Sequence, residues 1–368
     1  MRHFTALRSL RLSHIARTER SLGLRPVHTP SSTRIPNFAF AFDIDGVLLR
    51  ASKPIPGAAE SLSLLKDQGI PFILLTNGGG KHETERVAEI SEKLNVTLDP
   101  THIVQSHSPF AELVKGVDET SALEHKRILV AGGDGDSCRL VAERQVISRS
   151  LRSLSLQYGF KNVVTPGDIF MANPSIWPFS KNYSDYYKSF ARPLPPVSGS
   201  QDPTMGLKID AIFVFNDPRD WALDTQVIMD LLLSSNGVMG GFREALEGVW
   251  AATTGGPGKG IELKKTVIGK PYQPTYEFAE RQLLRNRART FMHATDLPPL
   301  QRVYMVGDNP ESDIRGANSY RSEVGSSWQS ILVRTGVYNG GEPAWTPRTI
   351  ADDVQRAVEW ALKSSKWT

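Results

Sequence analysis

Cysteine is almost absent from this chain, and its scarcity limits the kinds of site that the chain can build. Cys138 is the only cysteine among 368 residues, which excludes an internal disulfide framework and a zinc site made of cysteines. The eight histidines include no pair with His-x-x-x-His spacing, so a metallo-hydrolase that relies on such a pair finds no support. No apolar run approaches the roughly 20 residues that cross a bilayer, and we therefore expect no integral membrane segment.

Acidic residues and lysine are nearly missing from residues 1–36, which contain seven arginines, no lysine and one acid, Glu19. Such Arg-rich, acid-poor N-termini are typical of mitochondrial transit peptides, and an unprocessed disordered tail is the alternative. Because this segment holds the excess positive charge, the net charge of +4 does not indicate a basic surface for nucleic acid. We expect a mitochondrial protein, in the matrix, without a nucleic-acid partner.

Strand and helix patterns alternate along most of the chain. This β-α-β-α order predicts an α/β fold with a doubly wound, Rossmann-like parallel sheet. Strands are predicted at 38–42, 71–75, 302–306 and 330–333, and helices at 58–68, 83–94, 276–284, 314–317 and 351–363.

The length of the chain exceeds the usual size of a single core, and a long middle region has its own alternation of strands and helices. Its predicted strands are 128–131, 162–164 and 209–215, and its predicted helices are 221–233 and 242–251. We therefore divide the chain into a transit peptide or disordered segment (1–36), a core domain (37–81 and 265–368) and an inserted α/β domain (82–264).

Two carboxylates follow the first predicted strand. The run Phe38–Phe42 has no polar residue on either face, as in a central parallel strand, and Asp43-Ile44-Asp45-Gly46-Val47 comes directly after it. Buried carboxylates are costly unless a cation or a reaction uses them. Since residues i and i+2 of an extended segment point the same way, we expect Asp43 and Asp45 to address one bound group. An acidic turn or part of a calcium loop would explain the same residues.

Polar residues also follow other predicted strands. Thr76 and Asn77 come after the second strand, Asp308 comes after a later one, and Lys270 lies in a Gly-Lys-Pro segment before a helix. The carboxyl ends of parallel strands meet at one edge of the sheet, where α/β proteins bind ligands. An oxygen-rich pocket of this kind suits Mg²⁺ better than zinc.

The order Asp-x-Asp-Gly-Val, Thr-Asn, Gly-Lys-Pro and Gly-Asp-x-x-x-x-Asp within residues 37–363 resembles the haloacid dehalogenase (HAD) superfamily of phosphohydrolases. Residues Leu75–Gly80, Val163–Asp168 and Ile331–Gly336 are similar to subfamily IIA and, within it, to the group typified by the cat-eye-syndrome critical region protein five. The long interval after the second motif fits family members with an inserted α/β cap of the C2 type. It does not fit phosphomutase-like members, which carry the other cap.

The resemblance implies roles for the acidic residues. Asp43 is the expected nucleophile, which would form an aspartyl-phosphate. Asp45 is the expected general acid toward the leaving alcohol and then the general base for water. Asp43, the main-chain carbonyl of Asp45 and Asp308 are expected to hold Mg²⁺.

Further roles are implied for the remaining motif residues. The Thr76 hydroxyl, the Asn77 backbone and the Lys270 ammonium are expected to bind phosphate oxygens. Asp313 and Asn309 are expected to support the metal site or the lysine from behind. Thr76 could instead simply end a strand, Lys270 could cap a turn at the surface, and Asp313 could be a helix N-terminal acid.

The resemblance as a whole predicts a Mg²⁺-dependent phosphatase for a small phosphate monoester. Glycerol phosphates and intermediates of glycerophospholipid metabolism are alternative substrates, and a catalytically weak binding protein is an alternative function. Two segments depart from the family pattern. Residues 144–157 form an extra stretch, either an extended helix or translated intron, and residues 235–241 are short where relatives place a strand and an Asn-Pro-Asp loop.

Overall fold

A computed structural model describes residues 34–79, 81–116, 122–143, 158–174, 184–194, 204, 207–233, 265–292, 294 and 297–367. Several predicted segments therefore lie outside the described residues: nearly all of 1–36, the extra stretch 144–157, the connection 235–241 and the helix 242–251.

The strands of the described chain form two parallel sheets and one short hairpin. The strands are β1 (Phe38–Phe42), β2 (Leu49–Arg50), β3 (Lys53–Pro54), β4 (Phe72–Leu75), β5 (Ile103–Val104), β6 (Arg127–Gly133), β7 (Asn162–Val164), β8 (Ala211–Pro218), β9 (Arg302–Gly307), β10 (Ser327–Val333) and β11 (Thr349–Ala351). The larger sheet has six strands in the order β11-β10-β9-β1-β4-β5, and the smaller one has the order β7-β6-β8. Every pairing within these two sheets is parallel.

Helices alternate with these strands, as the sequence predicts. None of the helices in the described part of the chain has the length and apolar character needed to cross a membrane. The α-helices are α1 (Ala58–Asp67), α2 (Glu83–Leu94), α3 (Ala111–Lys115), α4 (Ser137–Glu143), α5 (Pro166–Ala172), α6 (Ser184–Lys188), α7 (Trp221–Leu233), α8 (Gln273–Thr290), α9 (Arg315–Ser319) and α10 (Val354–Ser364).

Strand β1 lies near the centre of the larger sheet and is buried on both faces. Its phenylalanines, Phe38, Phe40 and Phe42, pack on one side against apolar residues of α1, α2 and α10. Its alanines, Ala39 and Ala41, pack on the other side against α8 and α9. Helices therefore cover both faces of a parallel sheet, and the predicted doubly wound α/β fold is confirmed.

The larger sheet continues beyond residue 82, where the inserted domain was predicted to begin. Strand β5 pairs with β4 through Leu74↔Ile103 and Leu75↔Val104, and α2 contributes buried residues to the core of the larger sheet. Residues 83–104 therefore belong with the larger sheet. A strand of two residues has no periodic pattern, so the sequence did not reveal it.

The smaller sheet belongs to a unit that we call the inserted unit, residues 127–233 in the described chain. Its core forms on both sides of β6, with α5 and α7 on one side and residues such as Tyr158 and Phe160 on the other.

Near the C-terminus, the predicted helix 351–363 begins later than expected. Ala351 ends strand β11, and the side chain of Asp353 caps α10 by accepting a hydrogen bond from the backbone N–H of Arg356 at 2.8 Å.

Candidate active site

Three of the predicted site residues follow adjacent strands at the same edge of the larger sheet. Asp43 follows β1, Thr76 follows β4 and Asp308 follows β9, and β1 lies between β9 and β4. Backbone hydrogen bonds continue the sheet into this edge, from Asp43 N–H to the Val306 carbonyl at 2.9 Å and from Thr76 N–H to the Val104 carbonyl at 3.0 Å. All three side chains are buried. The expected convergence at one sheet edge is therefore present.

Lys270 joins this edge through two short ion pairs. Its Nζ lies 2.7 Å from Oδ1 of Asp43 and 2.6 Å from Oδ1 of Asp313, and only 3% of the lysine side chain is exposed. Burial alone would lower the pKa of Lys270, but the negative charges of Asp313 and Asp43 outweigh it and hold that pKa above its usual value. The lysine is therefore a fixed positive charge next to Asp43.

Asp43, Asp308 and Asp313 form a compact acidic cluster, in which one oxygen from each carboxylate lies within 4.8 Å of the others. Three carboxylates face one ammonium group, so the cluster carries two uncompensated negative charges when all are ionised. Burial raises the pKa of Asp313 to about 6 against the opposing charge of Lys270, and burial together with Asp43 raises the pKa of Asp308.

The donors of this cluster fit Mg²⁺. They are carboxylate oxygens close together in a buried place, which hard divalent cations prefer, and their excess negative charge needs a cation. Asp313 was expected behind the metal site, whereas the structure places its carboxylate inside the acidic cluster itself.

Asp308 is held by a loop to which sequence reasoning gave no role. The backbone N–H of Val337 donates a hydrogen bond to Oδ2 of Asp308 at 2.6 Å. A Cβ atom at Gly336 would lie 1.8 Å from that same oxygen, and one at Gly46 would lie 2.4 Å from it. Both glycines therefore leave the space that the Asp308 carboxylate fills. The sequence signal was present in the Thr-Gly that follows strand β10, next to β9 in the sheet.

Asn77 positions the lysine rather than the acidic residues. Its side chain accepts a hydrogen bond from the Lys270 backbone N–H at 2.6 Å and donates one to the Lys270 carbonyl at 2.9 Å. The Lys270–Pro271 peptide bond is cis.

Two other predicted site residues make local backbone contacts. The backbone N–H of Asn309 donates to Oδ2 of Asp313 at 3.1 Å. In the loop after β4, the hydroxyl of Thr76 accepts a hydrogen bond from the backbone N–H of Gly78 at 3.0 Å.

The carboxylate of Asp45 does not join the acidic cluster, contrary to the expectation that it would point the same way as Asp43. Its side chain is 70% exposed and its Oδ2 lies 3.8 Å from Nη2 of Arg86. The chain bends at Ile44 and turns at Gly46, where φ is +89°, so the i, i+2 rule for extended segments does not apply. Arg86, on α2, is a neighbour that the motifs did not indicate.

Comparison with known proteins identifies the family of the chain. A model of haloacid dehalogenase-like hydrolases matches residues 40–147, and a second HAD-like hydrolase model matches residues 267–357. A mitochondrial hydrolase of Saccharomyces cerevisiae is 35% identical over 371 residues, covering 88% of this chain and 95% of the relative. The chain belongs to the haloacid dehalogenase-like hydrolases, and the resemblance predicted from its motifs is confirmed.

Two other relatives carry more specific names. A Schizosaccharomyces pombe protein that fuses a CMP-forming cardiolipin synthase to a mitochondrial hydrolase is 35% identical over 373 residues, covering 92% of this chain and 56% of the fusion protein. An acid sugar phosphatase of Staphylococcus saprophyticus is 29% identical over 109 residues, covering 30% of this chain and 40% of the relative.

Proposed function

We propose that this protein is a Mg²⁺-dependent phosphatase that hydrolyses a small phosphate monoester through an aspartyl-phosphate on Asp43. One observation carries the proposal: a buried aspartate at a sheet edge, bound by a buried lysine 2.7 Å away, within an acidic cluster that fits a divalent cation. The family membership and the phosphatase name of a relative support the same reaction class.

In the first step, a carboxylate oxygen of Asp43 attacks phosphorus and the bond to the leaving oxygen breaks. Lys270 binds Oδ1 of Asp43 and leaves the second oxygen for the attack. Asp45, at the exposed rim, donates a proton to the departing alkoxide and then takes one from water. Water attacks the phosphorus of the aspartyl-phosphate, which releases inorganic phosphate and restores the Asp43 carboxylate.

Charge is the main obstacle to this reaction, because an anionic nucleophile approaches an anionic phosphate. Two unit charges about 4 Å apart repel by roughly 4 kcal/mol at an effective dielectric near 20. Asp43, Asp308 and the main-chain carbonyl of Asp45 would hold Mg²⁺, and the buried oxygen of Asp313 is a further candidate ligand. When bound, the ion supplies positive charge that offsets this repulsion. Lys270 contributes a second positive charge at a fixed position.

Phosphate binding is assigned to the loop after β4. The Thr76 hydroxyl and the Asn77 backbone would donate to phosphate oxygens, and Asn77 would also hold Lys270 in place through its side chain. The inserted unit would act as a cap that excludes water and favours small substrates over phosphoproteins. We further propose that the protein is mitochondrial, in agreement with its Arg-rich N-terminus and with the names of two relatives.

Glycerol phosphates and phosphorylated intermediates of glycerophospholipid metabolism are a second, narrower substrate proposal. The observation in its favour is the fission-yeast relative in which a cardiolipin synthase is fused to a mitochondrial hydrolase. Metabolite profiling of a deletion strain should show such esters accumulating. Unchanged levels of these esters would count against this substrate class.

Hydrolysis of p-nitrophenyl phosphate by the purified full chain tests the reaction class. We expect turnover that needs Mg²⁺, stops when EDTA is added and is lost in Asp43→Asn, which keeps the size of the side chain. Turnover that survives Asp43→Asn would refute the assignment of Asp43 as the nucleophile. A folded, monodisperse sample that hydrolyses no ester in a broad panel would favour a binding protein instead.

A further inference from the structure

A buried carboxylate outside the acidic cluster connects the larger sheet to the inserted unit. Glu83, the first residue of α2, has no exposed surface. Its Oε1 accepts a hydrogen bond from the Tyr158 hydroxyl at 2.9 Å and another from the Ser108 hydroxyl. Tyr158 is 2% exposed and packs in the core of the inserted unit. The contact between Glu83 and Tyr158 therefore crosses from one half of the molecule to the other.

His107 occupies the same junction and reaches toward the proposed phosphate-binding loop. Its Nδ1 lies 2.8 Å from the Tyr158 hydroxyl oxygen, and its ring stacks on Phe215 of β8 with centroids 5.4 Å apart. On its other side, its Cδ2 would lie 2.9 Å from a Cβ atom at Gly79. The imidazole thus fills the space between the inserted unit and the loop that follows Thr76 and Asn77.

Neighbouring residues make the same connection. The hydroxyl of Ser106 donates to the Phe215 carbonyl of the inserted unit at 3.3 Å, and its oxygen would lie 2.8 Å from a Cβ at Gly79. The side chain of Gln105 donates to the Lys81 carbonyl at 2.8 Å. Ser106 and His107 therefore contact both the inserted unit and Gly79, and Gln105 holds Lys81 beside them.

Packing between the two halves of the molecule does not by itself require polar side chains at this junction. A buried carboxylate costs free energy unless donors satisfy it, and an apolar residue of similar size would fill the same space without that cost. None of the described contacts of Glu83 reaches Asp43 or Lys270, so the proposed reaction does not use its charge. Glu83 instead links the start of α2, which follows the phosphate loop, to the Tyr158 hydroxyl of the inserted unit.

We propose that Tyr158 is a positioning residue: through Glu83 and His107 it holds the loop containing Thr76 and Gly79 in the conformation that binds phosphate. The proposal rests on the proposed function, since it assigns phosphate binding to that loop. It makes the inserted unit a determinant of phosphate affinity as well as a cover over the site.

The test compares Tyr158→Phe with Tyr187→Phe. Tyr187 is a matched control because it is also buried in the inserted unit, and its hydroxyl donates to Asp220 of that same unit at 3.1 Å. Each change removes one hydroxyl and keeps the ring. We expect Tyr158→Phe to raise the inhibition constant of inorganic phosphate, measured with saturating Mg²⁺, by roughly tenfold, while Tyr187→Phe leaves it unchanged.

A second readout needs no catalysis. In hydrogen–deuterium exchange of the full chain, peptides covering residues 76–83 should exchange roughly tenfold faster in Tyr158→Phe than in the wild type or Tyr187→Phe. If Tyr158→Phe does not accumulate as folded protein, Glu83→Gln serves instead, because it keeps the shape of the side chain and removes the charge that the hydroxyl binds.

The two readouts separate the possible failures. A wild type without phosphatase activity would refute the proposed function, and the exchange rates would still decide whether Tyr158 fixes the loop. Equal losses of thermal stability in the two tyrosine variants, with unchanged exchange in residues 76–83 and an unchanged phosphate constant, would overturn the proposal.

Discussion

Replacing Lys270 with methionine should destabilise the metal-free protein by about 3–5 kcal/mol, the usual result of removing one partner from a buried ion pair. The lysine is the only cation paired with the acidic cluster among the residues that the structure describes. Methionine has a similar length and no charge, so the change removes the ion pairs while filling most of the same space.

The magnitude follows from the two contacts. At 2.7 Å and 2.6 Å, each ion pair gains roughly 6 kcal/mol at an effective dielectric of about 20. Desolvation of the buried lysine and carboxylates cancels much of this gain. When the lysine is removed, the carboxylates are still buried at a cost in free energy, but the ion pairs that offset this cost are lost. Since a whole domain is stable by only about 5–15 kcal/mol, the loss should be easy to measure.

Urea unfolding in EDTA, followed by tryptophan fluorescence, is the assay. Lys363→Met is the control, because Lys363 is exposed on α10 and its loss should change the free energy of unfolding by no more than about 0.5 kcal/mol. The double variant K270M/D313N should recover part of the loss, since it removes one of the unpaired carboxylates. If K270M were as stable as K363M, the description of Lys270 as the cation that stabilises the acidic cluster would be refuted.

Two further predictions concern other contacts. Gly336→Ala should abolish Mg²⁺-dependent turnover by displacing the Asp308 carboxylate from the space that Gly336 leaves open. Gly325→Ala should keep its activity, because a Cβ there meets nothing within 4 Å, while its φ of +87° makes that substitution cost about 1–2 kcal/mol of stability. Equal activity of the two variants would contradict the assigned position of Asp308. Burial and the charge of Asp220 raise the pKa of Asp224 from 3.8 to about 7, so folding takes up a proton between these values and stability should fall as the pH rises through that window, by about 4 kcal/mol at most. Between pH 5 and pH 8, the free energy of urea unfolding should therefore decrease less for Asp224→Asn than for the wild type. Identical decreases would refute the raised pKa of Asp224.

The sequence predicted the part of the site that follows from where the parallel strands end. Asp43, Thr76 and Asp308 each come after a strongly apolar strand, and parallel strands bring their carboxyl ends to one edge. The position of Lys270 came from the family motif rather than from any periodicity. Its contacts with Asp43 and Asp313 confirm that the motif residues meet, while their catalytic roles stay predictions.

Other parts of the site depend on three-dimensional detail that a one-dimensional pattern lacks. The bend at Ile44 turns Asp45 away from the acidic cluster, and a single sequence contains no sign of where an extended segment bends. The contact between Val337 and Asp308 arises because β10 lies beside β9, and strand order was not predicted. The junction at Glu83 was missed for a similar reason, since its partners Ser108 and Tyr158 are distant in sequence.

Direct detection of the phosphorylated enzyme tests the central claim most sharply. Full-length protein is mixed with p-nitrophenyl phosphate and Mg²⁺, quenched in acid within the first turnover, and digested for peptide mass mapping. A phosphoryl group on the peptide that contains Asp43, absent from Asp43→Asn and absent without Mg²⁺, is the result that we predict. Continued turnover without any adduct on that peptide, or an adduct on another residue, would contradict the account.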